Sequence, residues 1–203
     1  FYKKYHHIIS MSRLIFIIIV IFILSIIIIF RLEKTEVIYK KSSIDGNEYL
    51  VRELPDDHEA ANMLAMLRKN MIILAENLYN NKEKYKDYIQ YIDALNNKIK
   101  NVIINESSPN SSYTSYSINK GEQMVFCVRS KTNNRIHDLN LLMYVALHEM
   151  SHVASPTYGH DDQFKKVFAF LTTKAVEMKL YNKVEFKSIP TEYCGLIISE
   201  SII

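Results

Sequence analysis

Two histidines four residues apart, with a glutamate directly after the first, occur at His148-Glu149-Met150-Ser151-His152. On a helix with 3.6 residues per turn, His148 and His152 lie on one face about 6 Å apart and can share one metal ion. Glu149 falls to the side of that face, where it can reach a water held by the metal without being a ligand itself. These residue types support metal-assisted hydrolysis, with neutral imidazoles as ligands and a carboxylate as proton acceptor. A catalytic zinc takes three protein ligands and keeps one position open, so a third ligand must come from elsewhere. His160 is the expected one, because Pro156 ends the helix and Gly159 permits a tight return. Glu177, Asp161 and Asp162 are the alternatives.

The helix that must carry the pair reads from Leu139 to Val153, free of Gly and Pro, with Asp138 at the N-cap position. Histidines on so apolar a helix cost free energy unless their nitrogens are satisfied, which a metal does directly. From Asp161 to Leu180 a further helix is predicted, with Phe164, Val167, Phe168, Phe170, Leu171 and Ala175 as its apolar face. Asp161 and Asp162 at its start either orient a ligand imidazole or complement the helix dipole. Upstream, Tyr113 to Ile118 and Gln123 to Arg129, joined by Asn119-Lys120-Gly121-Glu122, predict a hairpin. Met124 to Val128 is the candidate edge strand for holding an extended peptide; an ordinary core strand is the alternative. Helical spacing recurs after Pro55 from Ala60 to about Tyr79, and again at Tyr85, Ile89, Ile92, Leu95 and Ile99. Residues 31–54 read as a charged connector with a short strand near Glu48–Arg52.

The run from Leu14 to Phe30 holds no charge and one polar residue, and Arg13 and Arg31 bracket it. It predicts a transmembrane anchor, since seventeen helical residues cover about 25 Å of a hydrocarbon core of about 30 Å and flanking arginines can snorkel. Phe30-Arg31-Leu32 offers no small-residue cleavage site, which favours an uncleaved anchor over a signal peptide. The expected protein is therefore single-pass, in a host or virion membrane. A start at Met11 would leave only Arg13 ahead of the run and turn the catalytic domain to the cytoplasmic side. The sequons Asn105-Glu106-Ser107 and Asn110-Ser111-Ser112 would matter only for the opposite orientation.

A net charge of +3 spread over 203 residues, with lysines scattered among glutamates, does not indicate a nucleic-acid partner. Cys127 and Cys194 lack the paired spacing of a structural zinc site, and buried thiols are expected in preference to a disulfide.

From His148 to Phe164, the HExxH motif followed by Gly159-His160-Asp161-Asp162-Gln163-Phe164 resembles the SprT-like and WLM metallopeptidases, which share an HExxH helix and a nearby His-x-x-x-Phe. The chain resembles more closely metallopeptidase-like proteins of large DNA viruses. That likeness is carried by Arg52-Glu53-Leu54-Pro55, Tyr113 to Glu122, and Glu192-Tyr193-Cys194-Gly195. The resemblance implies zinc ligands at His148, His152 and His160 and a catalytic Glu149; it implies no substrate. The eight-residue gap between His152 and His160 departs from the metzincin spacing of six. A crosslink-repair role of the SprT kind would require DNA-stimulated cleavage, against which the weak charge argues.

The expected fold is α+β. A compact zincin-like domain over 55–203, with a small antiparallel sheet or hairpin and the HExxH helix, follows a basic segment (1–13), a transmembrane helix (14–30) and the connector (31–54). The expected activity is zinc-dependent peptide hydrolysis, one Zn2+ per chain, with Glu149 as general base acting on peptide or protein substrates. Tyr193 is the first candidate for an oxyanion donor, with Tyr158 and His137 behind it. A zinc-binding but inactive membrane-tethered interaction protein is the alternative function.

Overall fold

A computed structural model describes residues 16–26 and 36–203, which belong to two units, Phe1–Glu36 and Val37–Ile203. In the first unit, residues 16–26 are helical (α1). No helix among the described residues is long and apolar enough to cross a membrane. This overturns the expected single-pass anchor. The eleven helical residues rise only about 16 Å, roughly half of a hydrocarbon core of about 30 Å. The basic segment and both flanking arginines lie outside the described residues.

The second unit opens with an antiparallel hairpin, β1 (Val37–Lys41) and β2 (Glu48–Arg52), in register from Val37↔Arg52 to Lys41↔Glu48. Alternation along β2 buries Tyr49 and Val51 while Glu48 stays in water. The expected strand is thus present, but it pairs with a partner, β1, that the charged sequence around it conceals. Two helices follow, α2 (Asp57–Asn80) and, after two short 3-10 turns, α3 (Ile89–Ile99). Their buried stripes, Leu64, Leu67, Met71, Leu74 and Leu78 on α2 and Ile92, Leu95 and Ile99 on α3, are the periodic positions predicted from sequence.

A three-stranded sheet comes next, in the order β3-β5-β4. β3 (Ile103–Glu106) runs parallel to β5 (Gln123–Phe126), and β4 (Tyr116–Ile118) pairs with β5 as the predicted hairpin. β5 is therefore central, with a partner on each side, and Met124 to Val128 cannot be the edge expected from sequence. The edge strand is β4. Met124, Phe126 and Val128 are fully buried, and Val125 and Cys127 nearly so, which explains the continuous apolar run. The sequon asparagine Asn105 lies buried on β3 with its Oδ1 facing the Leu50 amide at 3.4 Å.

The helix α4 (Leu139–Ala154) carries the paired histidines, and Asp138 caps it by accepting from the Leu141 amide at 3.0 Å. Leu142, Met143, Ala146, Leu147 and Met150 are fully buried, and α4 packs against α2, α3 and α5. Each Leu or Met so buried stabilises the fold by about 1.5–3 kcal/mol, which makes α4 a rigid support. α5 (Asp162–Glu177) is capped by Asp161, and a last hairpin, β6 (Thr191–Tyr193) and β7 (Leu196–Ile198), closes the unit.

Two long-range ties hold these parts. Arg129 is fully buried and donates from Nη1 to Glu106 Oε1 at 2.9 Å and from Nη2 to Asp56 Oδ1 at 2.7 Å. Glu106 also accepts from the Arg52 amide at 2.7 Å, so one carboxylate links β2, β3 and the strand exit after β5. Burial pushes this carboxyl above its ordinary value, outweighing the pull of the Arg52 amide and of Arg129. The second tie is a disulfide between Cys127 and Cys194, with no free cysteine left. The expectation of two thiols is corrected. The residues are remote in sequence, but the β6–β7 turn brings Cys194 against the end of β5.

Candidate metal centre

His148 and His152 project from one face of α4 as the spacing requires, and the loop after Pro156 returns His160 to them. Gly159 turns that loop at φ +84, a left-handed backbone that a residue with a Cβ adopts only at a cost. The three Nε2 atoms form a triangle with sides of 3.2 Å (His148–His152), 3.2 Å (His152–His160) and 3.0 Å (His148–His160). Three mutual hydrogen bonds are impossible in such a triangle. A neutral ring nitrogen either carries a proton or offers a lone pair, so of three at least two are alike and one contact is unsatisfied. The conflict disappears when all three present lone pairs to one cation. A tetrahedral zinc with Zn–N bonds of about 2.0–2.1 Å has N···N edges of about 3.3 Å, close to the observed sides. The donor set therefore fits zinc.

Burial, then the neighbouring imidazoles, pulls His148 down to about 3; burial, His160 and the Lys120 ammonium pull His152 down to about 4. Both rings stay neutral at physiological pH, the form that ligates. Glu149 is buried on the same helix and lines the same cleft, and burial alone pushes its carboxyl up to about 7.

The ring of Phe164 supports all three imidazoles. It stacks on His152 with centroids 4.3 Å apart and presents edges to His148 at 5.0 Å and His160 at 4.8 Å, while Phe168 meets His148 at 5.3 Å. Sequence reading takes Phe164 as a core residue and as the Phe of the His-x-x-x-Phe resemblance, without assigning it a contact to the histidines.

Neither aspartate beside His160 orients a ring. Asp161 Oδ1 accepts from the Phe164 amide at 2.8 Å as the cap of α5, and the Asp162 side chain is fully exposed. Glu177 pairs with Lys174 at 2.8 Å at the far end of α5.

The cleft around the triad measures about 1150 Å³. One wall is the edge strand β4 with Thr114 and Ser115 ahead of it; Tyr193 and β7 form another. The Tyr193 hydroxyl bonds to Ser115 Oγ at 2.5 Å, and Ser115 Oγ also accepts from the Cys127 amide at 3.3 Å. Burial raises the phenol well above its ordinary value, and the nearby Glu149 carboxylate adds to the rise, so it remains a proton donor. Tyr158 also lines the cleft but is 86 % exposed. His137 is buried outside the cleft, accepting from the Cys194 amide at 3.4 Å, and braces Tyr193 with ring centroids 5.1 Å apart.

No protein-family model matches the chain. Among solved structures, Wss1 from Saccharomyces cerevisiae superposes with a TM-score of 0.36 at 18 % identity, over 49 % of this chain and 83 % of that one. Uncharacterized protein 136R of Invertebrate iridescent virus 6 is 22 % identical over 162 residues, 76 % of this chain and 86 % of that protein. Uncharacterized protein R325 of Acanthamoeba polyphaga mimivirus is 40 % identical over 196 residues, 97 % of each chain. With identity of that degree along almost its whole length, the chain belongs to the family of the mimivirus protein R325.

Proposed function

We propose that the chain is a zinc metallopeptidase. The observation that carries this reading is the convergence of three imidazole Nε2 atoms within 3.2 Å of one another, in a cleft that also holds a buried glutamate. His148, His152 and His160 hold the metal. A zinc ion supplies a Lewis acid and lowers the pKa of a coordinated water towards neutrality. An extended peptide lies along β4, whose outer edge has no strand partner among the described residues, and pairs with it through backbone hydrogen bonds. Glu149 accepts the proton of the attacking water and delivers it to the leaving amine. Tyr193, held by Ser115 and His137, donates its hydroxyl proton in a hydrogen bond to the developing oxyanion.

The test combines metal analysis with an unbiased peptide cleavage assay on the full chain. One zinc per chain is expected, with cleavage abolished in Glu149→Gln while the zinc stays bound. Tyr193→Phe should lower kcat by about 10²–10³ with little change in KM. A purified protein that takes up no metal, or a Glu149→Gln variant that cleaves as well as the parent, would refute the reading.

A further inference from the structure

The cleft has two chemically different ends, and their positions along α4 can be ordered. Tyr144 and Val145 line it one turn before His148, and Leu196, Ile197, Ile198 and Phe168 join them. Leu196 and Ile197 are 60 % and 62 % exposed, an apolar surface left in water. Glu200 is at the same end, its carbonyl accepting from the Tyr144 hydroxyl at 3.4 Å. The other end lies past His152. There Lys120 is fixed by donating to the carbonyls of Ser155 and Pro156 at 3.0 and 2.7 Å, and Lys98 is exposed beside it. From Val145 to His152 the helix rises about 10 Å, the span of roughly three extended substrate residues.

β4 sets the direction. It begins beside Ser115 and Tyr193 at the apolar end and leads into Asn119 and Lys120 at the basic end. A peptide pairing antiparallel with this edge, the more stable arrangement, puts its N-terminal side by the lysines and its C-terminal side against Leu196 to Ile198. Resting on the metallopeptidase reading above, we propose that the site selects peptides with acidic residues shortly before the scissile bond and a large aliphatic or aromatic residue shortly after it. The two lysines recognise the acid, and β7 with Val145 and Phe168 covers the apolar side chain, while Glu200 repels acids from that end.

Two arms test this with the full-length zinc-loaded protein. In a peptide-library cleavage map, acids should be enriched within three positions before the cut, and Leu, Ile, Met or Phe should exceed Ala after it by about tenfold or more. Lys98→Glu should turn the acidic preference towards basic residues, and Leu196→Ser with Ile197→Ser, both at exposed positions, should flatten the apolar one. In a fluorescence anisotropy assay, a peptide with two acids followed by two leucines should bind at least about tenfold tighter than its reverse sequence. Cleavage without these preferences, cleavage in the reverse order, or equal binding of the two peptides overturns the proposal. Ordered binding with no cleavage of any peptide would uphold the polarity and overturn only the peptidase reading.

Discussion

The disulfide between Cys127 and Cys194 closes a loop with a sequence separation of 67 that contains α4, all three clustered histidines and α5. Replacing both residues by alanine frees the unfolded chain and deletes only the two buried sulfur atoms from the core. Loop-closure entropy for that separation amounts to about 4 kcal/mol at 25 °C. Set against a typical stability of about 5–15 kcal/mol, the loss is a large fraction of the total, on the order of 10 °C in Tm. Urea unfolding of the parent, with and without reductant, and of Cys127→Ala with Cys194→Ala measures it. Thiol titration of the unfolded, unreduced parent should find no free thiol. Two reactive thiols in that titration, or a stability loss below about 1 kcal/mol, would refute the reasoning.

Three further outcomes are expected. Gly121→Ala should cost about 1–3 kcal/mol by chemical denaturation, because φ is +100 and the new Cβ would lie 2.9 Å from Val153 Cγ1; shortening that neighbour with Val153→Ala should not restore full stability, since the backbone strain remains. Phe164→Leu should keep the fold while weakening zinc affinity at least about tenfold in a chelator competition, because the imidazoles lose the ring that fixes their orientation; unchanged affinity would show that the stacking is incidental. Glu106 binds its proton more tightly in the folded chain than in the unfolded one, so the stability it contributes is present below its ordinary pKa and lost as pH rises through the raised folded value. Glu106→Gln, which cannot ionise, should therefore flatten the stability curve above pH 4.5, and an unchanged slope would count against the raised value.

The parts of the site legible in sequence were those governed by local rules. Helical period, the Asp138 cap and the stop at Pro156 fix α4 within one residue of its observed end, and the return at Gly159 depends on a single backbone angle. What was not legible depends on contacts distant in sequence. The parallel pairing of β3 with β5 turns the expected edge strand into a central one. The unbroken apolar run from Met124 to Val128 held the signal, since a strand with one open edge and a wet face would alternate. Cys127 and Cys194 carry no spacing pattern because the β6–β7 turn, not the local sequence, brings them together. Nothing in the local sequence marks Arg129 and Glu106 as partners, yet the two are buried together as an ion pair. The membrane expectation counted seventeen helical residues along Leu14–Phe30; the described helix has eleven of them, and no described helix is long and apolar enough to cross a membrane.

The turn between β4 and β5 is joined to the C-terminal end of α4 twice, through Lys120 on the carbonyls of Ser155 and Pro156 and through Gly121 against Val153. Strand and helix are therefore held together at two points, which fixes the spacing between the β4 edge and the His148 and His152 rings. Their slowest amides should exchange with solvent in a single cooperative opening. The opposite bank of the cleft, the β6–β7 hairpin, is fastened separately, by the disulfide at Cys194 and by the Tyr193 hydroxyl on Ser115.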